Sequence, residues 1–209
     1  MNFLAHSLMG FDDTELVAGQ FCGDFVRGSQ LAQFPGGIER GIRLHRHLDV
    51  FIDAFPALQP IRQDIDSGIL AAQISVPRRF IGIVIDVLFD HHLARYWDQV
   101  SERTLGSHVR YVHAALDEHH THLPDDLKRF LRLLKQEQIL EGNLQIESIE
   151  LTLERISRRS PRLHALAIPT EQLLLLREHL EGPFELFFPA LRQAAVTYLA
   201  QYPVSETQG

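Results

Sequence analysis

The chain has 209 residues and a formal net charge of −7, and its 45% hydrophobic and 22% charged residues are typical of a globular protein. The negative charge disfavours non-specific nucleic-acid binding, and no apolar run approaches the roughly 18 residues that would predict a membrane span. The N-terminus lacks the features of a signal peptide, and the single cysteine, Cys22, excludes an internal disulfide framework, so we expect a cytoplasmic protein.

Apolar residues recur every three to four positions, and no segment shows a strong strand pattern, so the sequence predicts an all-α, single-domain protein. Proline and glycine mark several boundaries, including Phe55-Pro56 and Gly182-Pro183. The predicted helices span about 2–9, 14–28, 38–53, 57–71, 77–97, 101–119, 124–141, 146–160, 169–181 and 183–201. The domain is expected to span 1–203, and the tail 204–209 should fray.

The longest apolar helix carries two carboxylates, Asp86 and Asp90. Their spacing of four residues places both on one helix face. Buried carboxylates are costly unless they are hydrogen-bonded, paired or bound to a metal. Caps or salt bridges would explain one such residue, but the adjacent His91 favours a divalent-metal site.

The predicted helix 38–53 carries His45, Asp49 and Asp53 at steps of four residues. A solvated polar stripe is one interpretation. The functional one is metal and phosphate ligation, because imidazole and carboxylate together suit Mn²⁺, Fe²⁺, Zn²⁺ or Mg²⁺.

Two further polar positions lie near the N-terminus. Asp24 is surrounded by apolar residues and followed by Arg27, which could be a capping arrangement or a metal ligand or base beside a phosphate-binding arginine. His6 taken alone is typical of a structural histidine. Together, these clusters predict that histidines and aspartates converge from four helices, as metal-assisted hydrolysis of a phosphate ester requires.

Four motifs in order make the chain resemble the acyl-carrier-protein phosphodiesterases, also called acyl-carrier-protein hydrolases. They are Met-Asn-Phe-Leu-Ala-His at 1–6, Asp-Phe-Val-Arg-Gly at 24–28, Gly-Ile-Arg-Leu-His-Arg-His-Leu-Asp-Val-Phe-Ile-Asp at 41–53, and an Asp-x-x-x-Asp-His-x-Leu-Ala element at 86–94. The chain departs from the family pattern at Cys22, at Ile52, and at His92, where an aromatic residue is common.

The resemblance implies an all-helical, HD-like phosphohydrolase fold that uses a divalent cation, typically Mn²⁺. It implies hydrolysis of the phosphodiester between 4′-phosphopantetheine and the serine of holo-acyl carrier protein. We assign the metal ligands to Asp24, His45, Asp86 and Asp90, with Asp49 as an alternative to His45. The predicted catalytic residues are Asp24, His6, Asp49, Arg46 and His91.

The implied partner should be strongly acidic, so an acidic enzyme needs local arginines for docking. We predict this role for Arg27, Arg43 and Arg46. Two other functions stay open at this point: an HD-like phosphohydrolase that acts on a nucleotide, and a non-catalytic module that binds metal or carrier protein. Metal content without turnover of any phosphodiester would favour the module. The oligomeric state is not predicted.

Overall fold

A computed structural model describes residues 3–66, 76–158 and 160–203, and these residues form eleven α-helices and no strand. The helices are α1 (Phe3–Leu8), α2 (Thr14–Cys22), α3 (Gly36–Ala54), α4 (Gln59–Asp66), α5 (Ile81–Arg95), α6 (Trp97–Val100), α7 (Leu105–Glu118), α8 (Asp125–Gln136), α9 (Ile139–Gly142), α10 (Ile146–Ser157) and α11 (Thr170–Gln201). Short 3₁₀ turns, among them Gly23–Phe25 and Gly28–Gln33, connect several of them.

Helices α2 and α3 pack closely because two glycines face each other. A Cβ atom on Gly19 would lie 2.3 Å from the carbonyl oxygen of Ile38, and one on Gly41 would lie 2.6 Å from that of Leu16. No other residue type fits at these distances without moving a backbone. The contact brings α2 against the face of α3 that carries the polar residues of interest.

Helix α5 lies at the centre of the domain, and most of its residues are buried. Because α1, α10 and α11 all pack against it, α5 is apolar around most of its circumference rather than amphipathic. A chain of aromatic rings continues this core into α11, where Phe187 stacks on Phe89 with 4.4 Å between ring centroids.

The predicted all-α, single-domain fold is confirmed, but several helix boundaries differ. The predicted helix 14–28 ends at Cys22 and continues as 3₁₀ turns, and the predicted helix 101–119 begins only at Leu105, where Thr104 caps it. The predicted helix 124–141 is interrupted at Gln138, which has a left-handed backbone with φ of 48°. The end of the predicted helix 57–71 and the tail 204–209 lie outside the described residues.

The predicted break at Gly182-Pro183 is wrong, because α11 runs through Pro183 and Pro189 as one helix of 32 residues. A proline removes one helical hydrogen bond, but burial of Phe184, Phe187 and Phe188, which lie between the two prolines, offsets that loss. Despite this length, none of the helices in the described ranges combines the length and hydropathy needed to cross a membrane.

Candidate metal centre

Two buried histidines and two carboxylates meet at one place in the structure. The Nε2 atom of His45 lies 3.1 Å from one carboxylate oxygen of Asp49 and 3.5 Å from an oxygen of Asp24. The Nε2 atom of His6 lies 3.2 Å from the other oxygen of Asp49. The two imidazole rings are stacked, with 4.1 Å between their centroids. We call these four residues the His–Asp cluster.

Three segments of the chain supply the cluster. Helix α1 carries His6, the 3₁₀ turn after α2 carries Asp24, and α3 carries His45 and Asp49 one turn apart on the same face. The turn approaches α3 closely because it begins with Gly23. A Cβ atom there would lie 2.1 Å from Cδ2 of the His45 ring. The missing side chain therefore permits the contact between Asp24 and His45.

The ionisation of the cluster is set by opposing effects. Burial disfavours a charge on His45, but the carboxylates of Asp24 and Asp49 outweigh burial and raise its pKa to about 9. Burial and the neighbouring His45 lower the pKa of His6. Although burial opposes ionisation of the two aspartates, the histidine contacts lower the pKa of both carboxyl groups. At neutral pH both aspartates are therefore ionised, and a cation that binds His45 must displace the proton that these carboxylates stabilise on its ring.

The donor atoms fit a divalent cation. The Nε2 atoms of both histidines are buried and, within the described part of the chain, make no hydrogen bond of acceptable geometry. One ligand atom from each of His6, His45 and Asp49 lies within 4.8 Å of the other two. Two imidazoles and a carboxylate are a ligand set suited to Mn²⁺, Fe²⁺ or Zn²⁺. Asp24 adds a second carboxylate, whose side chain is 34% exposed, against 45% for that of Asp49.

The predicted ligand Asp90 has a different set of contacts. Its carboxylate oxygens accept hydrogen bonds from the backbone N–H groups of Leu4, at 2.8 Å, and Ala5, at 2.9 Å. Burial raises the pKa of Asp90 to about 7, although these two donors act in the opposite direction. These contacts make Asp90 an anchor of α1, and its role as a metal ligand stays a prediction.

The other predicted ligand on α5, Asp86, is partly buried. Burial raises the pKa of Asp86, and the charges of His6 and Asp49 also act on it, so it lies within electrostatic reach of the cluster. Its role as a ligand stays a prediction.

The predicted catalytic residue His91 is not brought to the cluster. Its Nδ1 atom lies 2.7 Å from the backbone carbonyl oxygen of Asn143. The charged side chains that shift its pKa, after the dominant effect of burial, are Arg95, Arg177 and Glu147, and none of them belongs to the cluster. The structure thus favours a packing role for His91.

The three predicted docking arginines differ in their surroundings. Arg27 is exposed and has no acidic partner among the described residues. Arg43 donates two hydrogen bonds to one carboxylate oxygen of Glu39 and is 53% exposed. Arg46 donates to the backbone carbonyl of Val26, at 2.6 Å, and thereby ties the segment after Asp24 to α3.

Sequence reasoning missed one residue of this site, Gln20 on α2. Its side chain is 1% exposed, and its Oε1 atom lies 2.8 Å from Nδ1 of His6. The sequence did contain an indication of this role, because Gln20 is the one amide in the apolar end of α2. A buried amide requires a hydrogen-bond partner. Its partner could not be identified, because His6 lies on another helix.

The fold and the cluster define an all-α protein with a histidine–carboxylate site suited to a divalent cation. The chain belongs to the acyl carrier protein phosphodiesterase family, whose family model matches residues 1–191. It is 33% identical over 199 residues to proteins named acyl carrier protein phosphodiesterase from Salmonella agona (strain SL483), Salmonella dublin and Salmonella newport (strain SL254). Each alignment covers 93% of this chain and 97% of the relative. No solved structure matches the chain. The resemblance predicted from the motifs is confirmed, whereas the HD-like architecture stays a prediction.

Proposed function

We propose that this protein hydrolyses the phosphodiester that joins 4′-phosphopantetheine to the serine of holo-acyl carrier protein. The oxygen of water becomes bonded to phosphorus, and the serine oxygen leaves and takes up a proton. The products are apo-acyl carrier protein and free 4′-phosphopantetheine. The observation that carries this proposal is the His–Asp cluster, in a chain that matches the phosphodiesterase family over residues 1–191.

We further propose that His6, His45 and Asp49 hold a divalent cation, with Mn²⁺ as the first candidate, and that Asp24 completes the site. When bound, such a cation neutralises charge on phosphoryl oxygens and lowers the pKa of water. The support is the donor set itself, together with the two buried Nε2 atoms, which make no hydrogen bond of acceptable geometry within the described ranges.

Asp24 is the carboxylate of the cluster that lies outside the group formed by His6, His45 and Asp49, and we assign proton transfer to it. Its side chain is 34% exposed, against 45% for Asp49 and 4% for His45. Its pKa is lowered, so it is ionised at neutral pH and available as a base. A carboxylate that contacts both His45 and solvent can orient the attacking water and accept its proton.

Docking of the carrier protein requires local positive charge. Two acidic proteins repel each other overall, so encounter depends on arginines near the site. Arg27 follows the turn that carries Asp24 and is the most available of the three candidates. Arg43 is partly neutralised by Glu39, and Arg46 also holds the turn in place.

We place this reaction in the cytoplasm, without nucleic acid or membrane as partner.

The test is to incubate the full chain with holo-acyl carrier protein and Mn²⁺ and to follow the carrier by mass spectrometry. We expect the carrier to lose the mass of phosphopantetheine. Asp24→Ala should reduce the rate at least about a hundredfold, because it removes a group that acts in the transition state. Asp98→Ala, at an exposed aspartate on α6, is the control and should keep the rate. An intact carrier after incubation with wild-type protein, or a wild-type rate for Asp24→Ala with a helical circular-dichroism spectrum, would contradict the proposal.

Docking is tested by charge reversal. Arg27→Glu should raise KM for the carrier protein more than it lowers kcat, and it should weaken the dependence of kcat/KM on salt, because exposed charges act mainly on association. Arg43→Glu should act in the same direction with a smaller effect. Arg46→Glu should also lower kcat, because its contact with Val26 positions Asp24. Arg110→Glu, at an exposed arginine on α7, is the matched control. A wild-type rate that is independent of salt, matched by all variants, would remove the support for an acidic protein substrate.

A further inference from the structure

The His6 side chain has two distinct environments, one at each ring nitrogen. Its Nε2 atom faces the His–Asp cluster, and its Nδ1 atom faces Oε1 of Gln20 at 2.8 Å. Both side chains are buried, at 4% and 1% exposure. Water therefore does not compete for either contact, and the Gln20 amide determines the environment of Nδ1.

An amide oxygen accepts hydrogen bonds and cannot donate them. With Oε1 facing the ring, Nδ1 of His6 must carry the proton, and Nε2 then has a free lone pair. The opposite amide orientation would place the proton on Nε2, where it should be donated to Asp49. The Nε2 atom lies 3.2 Å from the Asp49 oxygen, but the angle of this contact is not that of a hydrogen bond. The arrangement thus fits a His6 ring whose Nε2 lone pair and the Asp49 carboxylate are both directed at one bound cation.

We propose that Gln20 is a positioning residue, which holds His6 in the tautomer protonated at Nδ1 and so presents Nε2 to a divalent cation. The proposal rests on the metal site proposed above and adds a residue that acts on that site through His6. Partners of this kind fix the orientation of a ligand ring and influence its affinity for metal. This arrangement is costly in free energy, because the buried amide nitrogen of Gln20 makes no hydrogen bond within the described ranges.

The first test measures binding of Mn²⁺ alone to the purified full chain by calorimetry. Gln20→Met keeps the size of the side chain and removes the acceptor, so we expect Mn²⁺ affinity to fall about 10- to 100-fold. Gln20→Glu retains an acceptor oxygen and should rescue binding to within about threefold of wild type. Gln136→Met, at an exposed position of α8, controls for the substitution itself. Equal affinity of Gln20→Met and wild type, or no Mn²⁺ binding by wild type, would overturn the inference.

The second test uses the wild-type protein and does not depend on whether a variant folds. Nitrogen-15 NMR of the metal-free chain should show His6 protonated at Nδ1 and unprotonated at Nε2. A proton on Nε2 would overturn the proposed role of Gln20. Neither test uses carrier-protein hydrolysis, so their outcome is distinguishable from failure of the proposed function. A chain that binds Mn²⁺ in this manner but leaves holo-carrier protein intact would retain the role of Gln20 and lose the proposed reaction.

Discussion

Gly23 determines how closely the turn that carries Asp24 can approach His45. Its importance is steric, because the ring of His45 occupies the space that a Cβ atom would need. A single methyl group at this position must displace either the turn or a ring that is itself packed against His6. The geometry of the cluster therefore depends on a residue that supplies no ligand.

We expect Gly23→Ala to lower both Mn²⁺ affinity and hydrolysis at least about tenfold, because a displacement of this kind separates Asp24 from His45. Gly28→Ala is the matched control, since a Cβ atom there meets nothing within 4 Å among the described residues. Calorimetry and the carrier-protein assay measure both effects. Equal behaviour of the two variants would show that the turn can relax without cost.

The sequence predicted much of the cluster, because polar residues on apolar helices are conspicuous. His45 and Asp49 could be placed on one face from their spacing alone, and Asp24 and His6 were marked by the family motifs. The sequence could not show that Asp90 accepts hydrogen bonds from the backbone of α1. A buried carboxylate needs partners, and only the tertiary arrangement identifies them.

At the scale of the element, α1 is too short to be stable alone. Asp90 of α5 supplies what its first turn lacks, because the N–H groups of Leu4 and Ala5 have no partner inside the helix. A side chain from the central helix thus performs the role usually taken by a local N-cap residue. Because α1 carries His6, this contact also fixes one histidine of the cluster.

Asp90→Ala should lower the free energy of unfolding by about 2 kcal/mol, since it leaves two backbone donors without an acceptor. It should also weaken Mn²⁺ binding, because His6 is then less firmly placed. Asp90→Asn retains one acceptor oxygen, so its free energy of unfolding and its Mn²⁺ affinity should lie between those of wild type and Asp90→Ala. Urea unfolding and calorimetry measure these effects. An unchanged unfolding midpoint in Asp90→Ala would show that α1 is held by packing alone.

Helix existence was predictable from periodicity, whereas helix ends were not. Pro183 is a strong local signal for a break, but the buried phenylalanines around it keep α11 continuous. Conversely, nothing local required the helix after Thr14 to end at Cys22, where the chain passes into a 3₁₀ turn and Gly23 approaches the His45 ring of α3. Tertiary packing overrides local preference in both cases.

At the scale of the whole molecule, two buried histidines outside the cluster make stability depend on pH. Burial lowers the pKa of both His92 and His108 to about 4. His92 contacts the carbonyl oxygen of Arg177 and stacks on Phe184, while His108 contacts the hydroxyl of Ser7. Both rings are therefore neutral in the folded protein over most of the physiological pH range.

Between about pH 6.5 and pH 4 the unfolded chain binds protons at these positions and the folded chain does not, so stability should fall as pH falls through this window. Once the pH is below the pKa values of both the folded and the unfolded chain, each histidine lowers the free energy of unfolding by about 3 kcal/mol. His92→Phe preserves the stacking on Phe184 and should show a shallower loss, measured as the melting temperature against pH. Parallel curves for wild type and His92→Phe would contradict this account.

The contact between Gly19 and Gly41 has a consequence for attempts to engineer this protein. Replacing a helix glycine by alanine is a standard stabilising change, worth up to about 1 kcal/mol where the new methyl group finds space. At these two positions the methyl group would instead meet backbone atoms of the facing helix at 2.3 to 3.1 Å. The helices would separate, and Gln20 would move away from the helix that carries His45. A thermostabilisation programme guided by helix propensity alone would thus target the two residues that set the spacing of α2 and α3 next to the His–Asp cluster.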